Sequence, residues 1–264
     1  MQDFNIEPFG IEGTVSAGSL NLTLSRNLKK YWLVDVDKKA IANIYGCLLE
    51  GYIKQGSVYE NGTVKSHFPI HNISDIERFI TGLNGSFVVE TLPPLPHRLY
   101  PDAGGTIPLV FCPSTGRIAS SAGMMMEVAE YEERFLRERY NRLVRNDISG
   151  AWIPGSLTAH EGLSRLLPNL YLDLNTWKTQ RFWPKQENIS IELSMEDAAQ
   201  SVAADIRGYV DATAHQFPKI APTLTAGFDT RIILAGCRDV RGQCKFFTAG
   251  SPSQGLDQIL AGKI

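Results

Sequence analysis

The hydrophobic positions change period several times along the chain. Residues 1–35 alternate apolar and polar and carry Gly10, Gly13 and Gly18, which predicts short strands and turns. After Asp37 the apolar residues fall at 41, 44, 45, 48, 49 and 52. That spacing predicts an amphipathic helix capped by Asp35 or Asp37. "GSVYENGTVKSHF" reads as a hairpin with Asn61-Gly62 at its turn, a pair that tolerates positive φ. Ser74 and Glu77 have the spacing of a capping box, and Ile76, Phe79, Ile80 and Leu83 then form the buried side of a short helix. Strands are predicted at Ser86–Thr91, Arg98–Tyr100, Ile107–Cys112 and Arg117–Ser120, with Gly104-Gly105 read as a turn. Residues 1–122 therefore read as a sheet-rich domain carrying two helices.

From 124 to 145 the pattern is that of one charged helix, with Glu133 and Arg137 spaced to pair. A Gly-, Ser- and Pro-rich segment follows, so residues 123–193 read as a connecting helix and inter-domain linker. Ser194 caps a long predicted helix whose apolar face runs Ala198, Val202, Ile206, Tyr209 and Val210. Residues 195–250 then alternate helix, strand, helix, strand, an order that argues for a parallel sheet in a second domain of residues 194–264.

Composition narrows the function classes. The 264 residues carry 26 basic and 28 acidic side chains, a net charge of -2 that gives no footprint for nucleic acid or membrane. No run is apolar for long enough to span a bilayer, and no basic start precedes an apolar block. Cys47, Cys112, Cys237 and Cys244 fit neither a disulfide framework nor a zinc site, which reads as reduced thiols in a cytoplasmic protein. The five histidines, at 67, 71, 97, 160 and 215, have no partners at metal-ligand spacing, so loop or surface roles are expected.

The stretch with the most chemistry is "PTLTAGFDTRIILAG", residues 222–236. A strand ending in small residues and feeding a helix offers free backbone N–H groups at a positive helix end, which suits phosphate. Gly227 allows close approach, Thr225 and Thr230 bring hydroxyls, and Asp229 among phosphate oxygens calls for a divalent cation. The alternative is a plain turn with Asp229 and Thr230 as capping residues.

This stretch, as Thr225-Ala226-Gly227-Phe228-Asp229-Thr230, resembles the Ser-Gly-Gly-x-Asp-Ser pyrophosphate loop of the asparagine synthetase family. "FFTAGSPSQGLDQILAGKI" is similar to the family's second strand and following loop, and "HEGLSRLLPNLYLDL" and "RFWP" to its linker. "SDIERF", "LNGSFVVE" and "RLYPDAGGTIPLVFCPSTGRIASS" resemble core segments of its N-terminal glutaminase domain. The resemblance is collinear over roughly residues 70–264. It implies an α/β chain: an α+β sandwich of the N-terminal-nucleophile hydrolase kind, then the first βα units of a Rossmann-like parallel sheet. It also implies ATP at Leu224, Thr225, Gly227, Asp229, Thr230, Thr248 and Gly250, and Mg²⁺ at Asp229 and Asp257.

One departure bears on activity. The family's glutaminase uses a Cys directly after the initiator Met, whereas this chain begins Met1-Gln2-Asp3. Cys47, inside the predicted helix, reads as a structural thiol, and Asn61-Gly62-Thr63 as a turn rather than an oxyanion-hole segment. The expectation is an amide-forming ligase that adenylates a small-molecule carboxylate, uses ammonia or a substrate amine, and has lost glutamine hydrolysis. Two alternatives stand beside it: a non-catalytic scaffold or nucleotide sensor, and an intramolecular amide cyclase similar to β-lactam synthetase or the lasso-peptide cyclases. A homodimer is compatible with all three. A complete synthetase sheet needs further βα units, so the expected reading is of a fragment.

Overall fold

The structure, a computed structural model, describes residues 10–16, 18–143, 153–185, 192–248 and 255–263. It is a mixed α and β molecule whose chain divides into two compact units. One is Met1–Leu48 with Gln55–Ile189, the other Leu49–Lys54 with Ser190–Ile264.

The first unit holds two sheets. Strands β1 (Ile11–Ser16), β2 (Ser19–Leu24), β9 (Leu109–Cys112), β10 (Arg117–Ala119) and β11 (Ser164–Leu166) form a five-stranded sheet in the order β11-β9-β10-β1-β2. The larger sheet runs β13-β12-β8-β7-β4-β3-β6-β5. Its strands are β3 (Lys29–Val34), β4 (Ala40–Leu48), β5 (Gly56–Val58), β6 (Thr63–Ser66), β7 (Gly85–Thr91), β8 (Arg98–Pro101), β12 (Leu170–Asp173) and β13 (Thr179–Arg181). One core cluster joins Ile11, Leu109, Phe111 and Ile118 of the smaller sheet to Val88, Leu99 and Leu172 of the larger, so the two sheets face each other across it. A second cluster, with Val110, Cys112, Ala119 and Met125, lies on the other face of the smaller sheet. Alternate residues of β9 and β10 thus serve opposite faces.

Several predicted elements hold. The β5–β6 hairpin forms, with Gly62 at φ 77 in its turn. The strands around 86–91, 98–100, 109–112 and 117–119 lie where expected. Gly105, at φ 59, turns the chain around Asp102, whose buried carboxylate accepts from the N–H groups of Phe87, Gly104 and Thr106.

Others differ. The helix predicted after Asp37 is strand β4. It sits between β3 and β7 and is buried on both faces, so its near-continuous apolar run carries no period-two signal. Cys47 belongs to this strand and is half-buried. A Cβ on Gly46 would lie 2.1 Å from the Ser86 carbonyl oxygen, so close pairing with β7 needs glycine there. Helix α1 (Ile73–Ile80) is capped by Asn72 with Asp75 rather than by Ser74 with Glu77. Asn72 Oδ1 accepts from the N–H groups of Ser74 and Asp75, and Asp75 returns a bond to the Asn72 N–H. This frees Glu77 to turn inward, where it meets Arg98, Tyr100 and Lys185. Ile76, Phe79, Ile80 and Leu83 are buried as predicted.

The single helix expected over 124–145 is broken into α2 (Ala122–Met125), α3 (Val128–Arg134) and α4 (Arg137–Leu143), with 144–145 outside the described residues. The break falls where the chain pairs instead with the 159–160 segment: the Leu136 N–H donates to Ala159, and Phe135 bridges His160. Arg134, not Arg137, makes the helical ion pair, with Glu130 at 3.0 Å. The segment read as a linker, 123–193, contributes β11, β12 and β13 to the two sheets; its turn-forming residues join strands too short to show a period.

In the second unit Ser194 caps α5 (Met195–Gln216) as predicted, accepting from the Asp197 N–H. The predicted apolar face is only partly covered. Val210 is buried, while Val202 is 57% and Tyr209 46% exposed. The covering elements reach only part of the face: Gly236, at the end of α6 (Phe228–Gly236), lies so close to Ile206 that a Cβ there would be 2.8 Å from its side chain. Leu49–Lys54 also belongs to this unit. Tyr52 and Lys54 both bond Asp205, at 3.0 and 2.7 Å, and the Tyr52 ring passes over Gly208 where a Cβ would be 2.4 Å away.

Candidate functional site

The candidate site is built on two extended segments that flank α6 in the second unit and meet at two isolated parallel bridges, where the sequence pattern predicts strands. Thr223 pairs in parallel with Phe247 and Ile220 with Cys244. The Leu224 N–H donates to Phe247 O at 2.8 Å, and the Phe247 N–H to Pro222 O at 3.2 Å. The two segments are joined through α6, a right order for placing a loop at the carboxyl end of a parallel pair. Leu224 is buried and anchors the first segment. Thr248, at the end of the second, donates its hydroxyl to the Leu224 carbonyl.

The turn is then knit by its own hydroxyls. The Thr225 N–H donates to Thr230 Oγ1 at 3.0 Å, the two hydroxyls lie 3.0 Å apart, and the Gly227 N–H donates to Thr225 Oγ1 at 3.1 Å. Gly227 caps α6 through its backbone, at φ −68, with no side-chain hydrogen bond at the cap. The capping alternative for Asp229 and Thr230 therefore does not describe this turn: Thr230 reaches back to the strand, and Asp229 lies in the exposed first turn of α6. Arg231 stacks over the exposed Phe228 ring at 4.6 Å and donates to Gly227 O.

One further N–H of the turn points to a distant residue. The Ala226 N–H donates to Asp257 Oδ1 at 2.9 Å, across 31 positions of sequence. Asp257 opens α7 (Leu256–Ala261). The residues predicted from the turn and from the resemblance, Leu224, Thr225, Gly227, Thr230 and Thr248, are thus linked to one another, and Asp257 is brought onto the same loop. The Asp229 carboxylate has no hydrogen bond or ion pair among the described residues. Gly250 lies outside them. No cluster of three or more His, Cys, Asp or Glu that would hold a metal occurs among the described residues.

No family model and no curated protein matches the chain.

The first unit has its own open depression of about 1040 Å³, lined by Thr14, Asn21, Lys30, Tyr45, Arg117 and Met125 among others. No thiol is among its lining residues. Gln2 lies outside the described residues. Cys112 is buried; burial would raise its thiol, but hydrogen bonds from Ser114, Thr115 and Arg134 hold it below the usual range.

Two of the histidines expected in loop or surface roles are buried: His97, in the segment before β8, and His160. His160 packs between the rings of Tyr131 and Phe135. His97 Nε2 lies 2.9 Å from Glu90 Oε1, while Glu90 Oε2 accepts from Tyr45 Oη at 2.6 Å and Asn43 Nδ2 at 2.8 Å. Burial would raise the Glu90 carboxyl, but these donors, His97 first, hold it below the ordinary carboxylate range. Burial and the Glu90 charge push Tyr45 up. No local pattern announces this cluster, because its members come from β4, β7 and the segment before β8. Among the described residues no helix is long and apolar enough to cross a membrane.

Proposed function

We propose that the second unit binds ATP with Mg²⁺ and that the chain works as an amide-forming ligase similar to asparagine synthetase. In this reading the second unit has a Rossmann-like sheet, and the first unit is an N-terminal-nucleophile-type sandwich that no longer hydrolyses glutamine. The observation that carries the reading is the bond from the Ala226 N–H to Asp257: the backbone of this turn already holds an anionic oxygen. Phosphate oxygens of ATP would take the same donor, helped by the positive end of α6 and by the Thr225 and Thr230 hydroxyls. Leu224 and Thr248, with Gly250, would flank the adenine.

Asp229 and Asp257 are both exposed and offer hard carboxylate oxygens, the donor type that Mg²⁺ takes alongside phosphate and water. Bound there, Mg²⁺ would neutralise charge on the phosphates. The chain's own part is orientation: the turn would fix the phosphates so that a carboxylate substrate attacks the α-phosphate and expels pyrophosphate, and an amine then attacks the acyl-adenylate and expels AMP.

Calorimetric titration of ATP with and without Mg²⁺, on the natural chain and on Asp229→Asn, tests this. Binding is expected only with Mg²⁺, and the variant should lose about 1–3 kcal/mol, the scale for a charged hydrogen-bonding partner. Equal affinity in all four titrations removes the metal role. A second reading, a non-catalytic nucleotide sensor or scaffold, draws on the same bond, since Asp257 already occupies a donor that ATP would need. Carboxylate-dependent exchange of pyrophosphate into ATP separates the two: an enzyme gives exchange, a sensor binds without it. For the first unit the expectation is no release of glutamate from glutamine.

A further inference from the structure

β2 ends the five-stranded sheet, so one of its edges pairs with no strand among the described residues. The backbone groups on that edge can be named. Val15 donates its N–H to Gly116 O, and Ile11 engages Ser120 through both its N–H and its C=O, so both turn their backbone groups away from β2. Their partners in register, Leu20 and Leu24, and Leu22 between them, therefore point N–H and C=O outward along the free edge. Nothing in Ser19–Leu24 defends that edge: the strand has no charge, no proline and no bulge.

The depression of about 1040 Å³ runs along this edge, with Lys30 and Tyr45 of the larger sheet among its lining residues. A strand of six residues needs about 1000 Å³, from a rise of about 3.4 Å per residue, a spacing of about 4.8 Å and a layer about 10 Å thick. Lys30 lies opposite Tyr45, Trp32 opposite Asn43, and Tyr45 opposite Val88, which belongs to the core between the sheets. Lys30 and Trp32 are therefore on the face of the larger sheet that meets the smaller one, and β6 and β5 extend that face further. There Trp32 is left 39% exposed. Lys30 Nζ lies over the Trp32 and Tyr45 rings, with no carboxylate paired to it among the described residues.

We propose that the edge of β2 binds an extended peptide of a partner protein as a sixth strand of the smaller sheet. The peptide is apolar with one carboxylate on its face toward Lys30 and Trp32, and basic on the other. Main-chain bonds to Leu20, Leu22 and Leu24 supply the pairing, and the side-chain rows supply the choice. On the outer side Glu12 and Glu127 line the same depression, and Glu12 shares its face with Thr23 and Ala119. A second copy of the chain does not fit through β2. Two β2 strands paired antiparallel keep like faces on one side, so the copy's larger sheet would enter the space that β6 and β5 already fill. The slot suits a single strand, and it is independent of nucleotide binding.

The probe is a fluorescent, acetylated peptide of seven residues in which Lys alternates with Val and Glu replaces the central Val. Anisotropy titration of the full chain should give saturable binding, and hydrogen exchange at the Leu20, Leu22 and Leu24 amides should slow. In a strand, residues that share a face also send their N–H groups to one edge. Methylating the amides of the Lys set, or those of the Val and Glu set, should therefore differ: one change abolishes binding and the other leaves it. Lys30→Glu should weaken binding about tenfold, the scale of one charged hydrogen bond, and a peptide with Lys in place of its Glu should restore it. No binding, equal effects of the two methylated peptides, or a Lys30→Glu chain that binds like the natural one overturns the proposal. Binding that appears only once residues 1–9 are removed gives the slot to the chain's own start, and a dimer that the peptide splits gives it to a second copy; either result overturns it too.

Discussion

Glu90 keeps its charge at 2% exposure because donors from both neighbouring directions converge on it. A buried carboxylate without such partners would neutralise itself. Its depressed titration fixes the sign of the pH effect. The stability that it contributes is fully present above the usual carboxylate range and is lost as pH falls through the lower, folded value. Glu90→Gln should remove that part of the acid sensitivity, read as a flatter plot of melting temperature against pH below neutrality. At neutral pH the same variant should be less stable by about 1–3 kcal/mol, because an amide N–H then faces the Asn43 or Tyr45 donors. Sequence alone placed Glu90 inside the strand predicted at Ser86–Thr91. It could not show that Asn43, Tyr45 and His97 end on it, since that follows from strand pairing. The turn at 225–230 was more legible for the opposite reason: its donors and hydroxyls are neighbours in sequence, and their mutual bonds need no distant partner. Asp257 is the exception, and only the resemblance pointed to it.

At the scale of elements, the cap of α1 and the interior of α5 give contrasting tests. Asn72→Ala should cost about 1 kcal/mol, while Ser74→Ala should change stability by no more than a few tenths, measured by denaturant unfolding. The reverse order would restore Ser74 as the cap. In α5, Gly208 looks like a site for improvement, since glycine in a helix interior is about 1 kcal/mol worse than alanine. Tyr52 changes the outcome, because a Cβ there collides with its ring and would pull its hydroxyl from Asp205. Gly208→Ala should therefore bring no gain in the natural chain, but a gain of about 1 kcal/mol when combined with Tyr52→Ala. A double-mutant cycle reads that coupling. The misread helix at 41–52 is instructive in the same way. Burial on both faces erases alternation, and the apolar residues left at 41, 44, 45 and 48 happen to match a helical stripe.

For the whole molecule, the order of strands and helices was readable where turns carried Gly, Pro or Asn, and the parallel pair around α6 was readable from the alternation of elements. The extent of the first unit was not, because β11 to β13 are short and pair with strands far away in sequence. The placement of Leu49–Lys54 in the second unit was equally hidden. That placement has a consequence for inheritance. A unit encoded in one uninterrupted stretch can be duplicated or exchanged by a single recombination at its border. This one cannot: a crossover after Ile189 would transmit Asp205 and Gly208 but leave Tyr52 and Lys54 behind. Residues 190–264 expressed alone should accordingly melt earlier than the same unit does in the intact chain, and grafting 49–54 onto them through a flexible linker should raise the melting temperature. If the graft has no effect, the second unit is genetically portable after all; if it rescues, the two units have had to travel through evolution as one block.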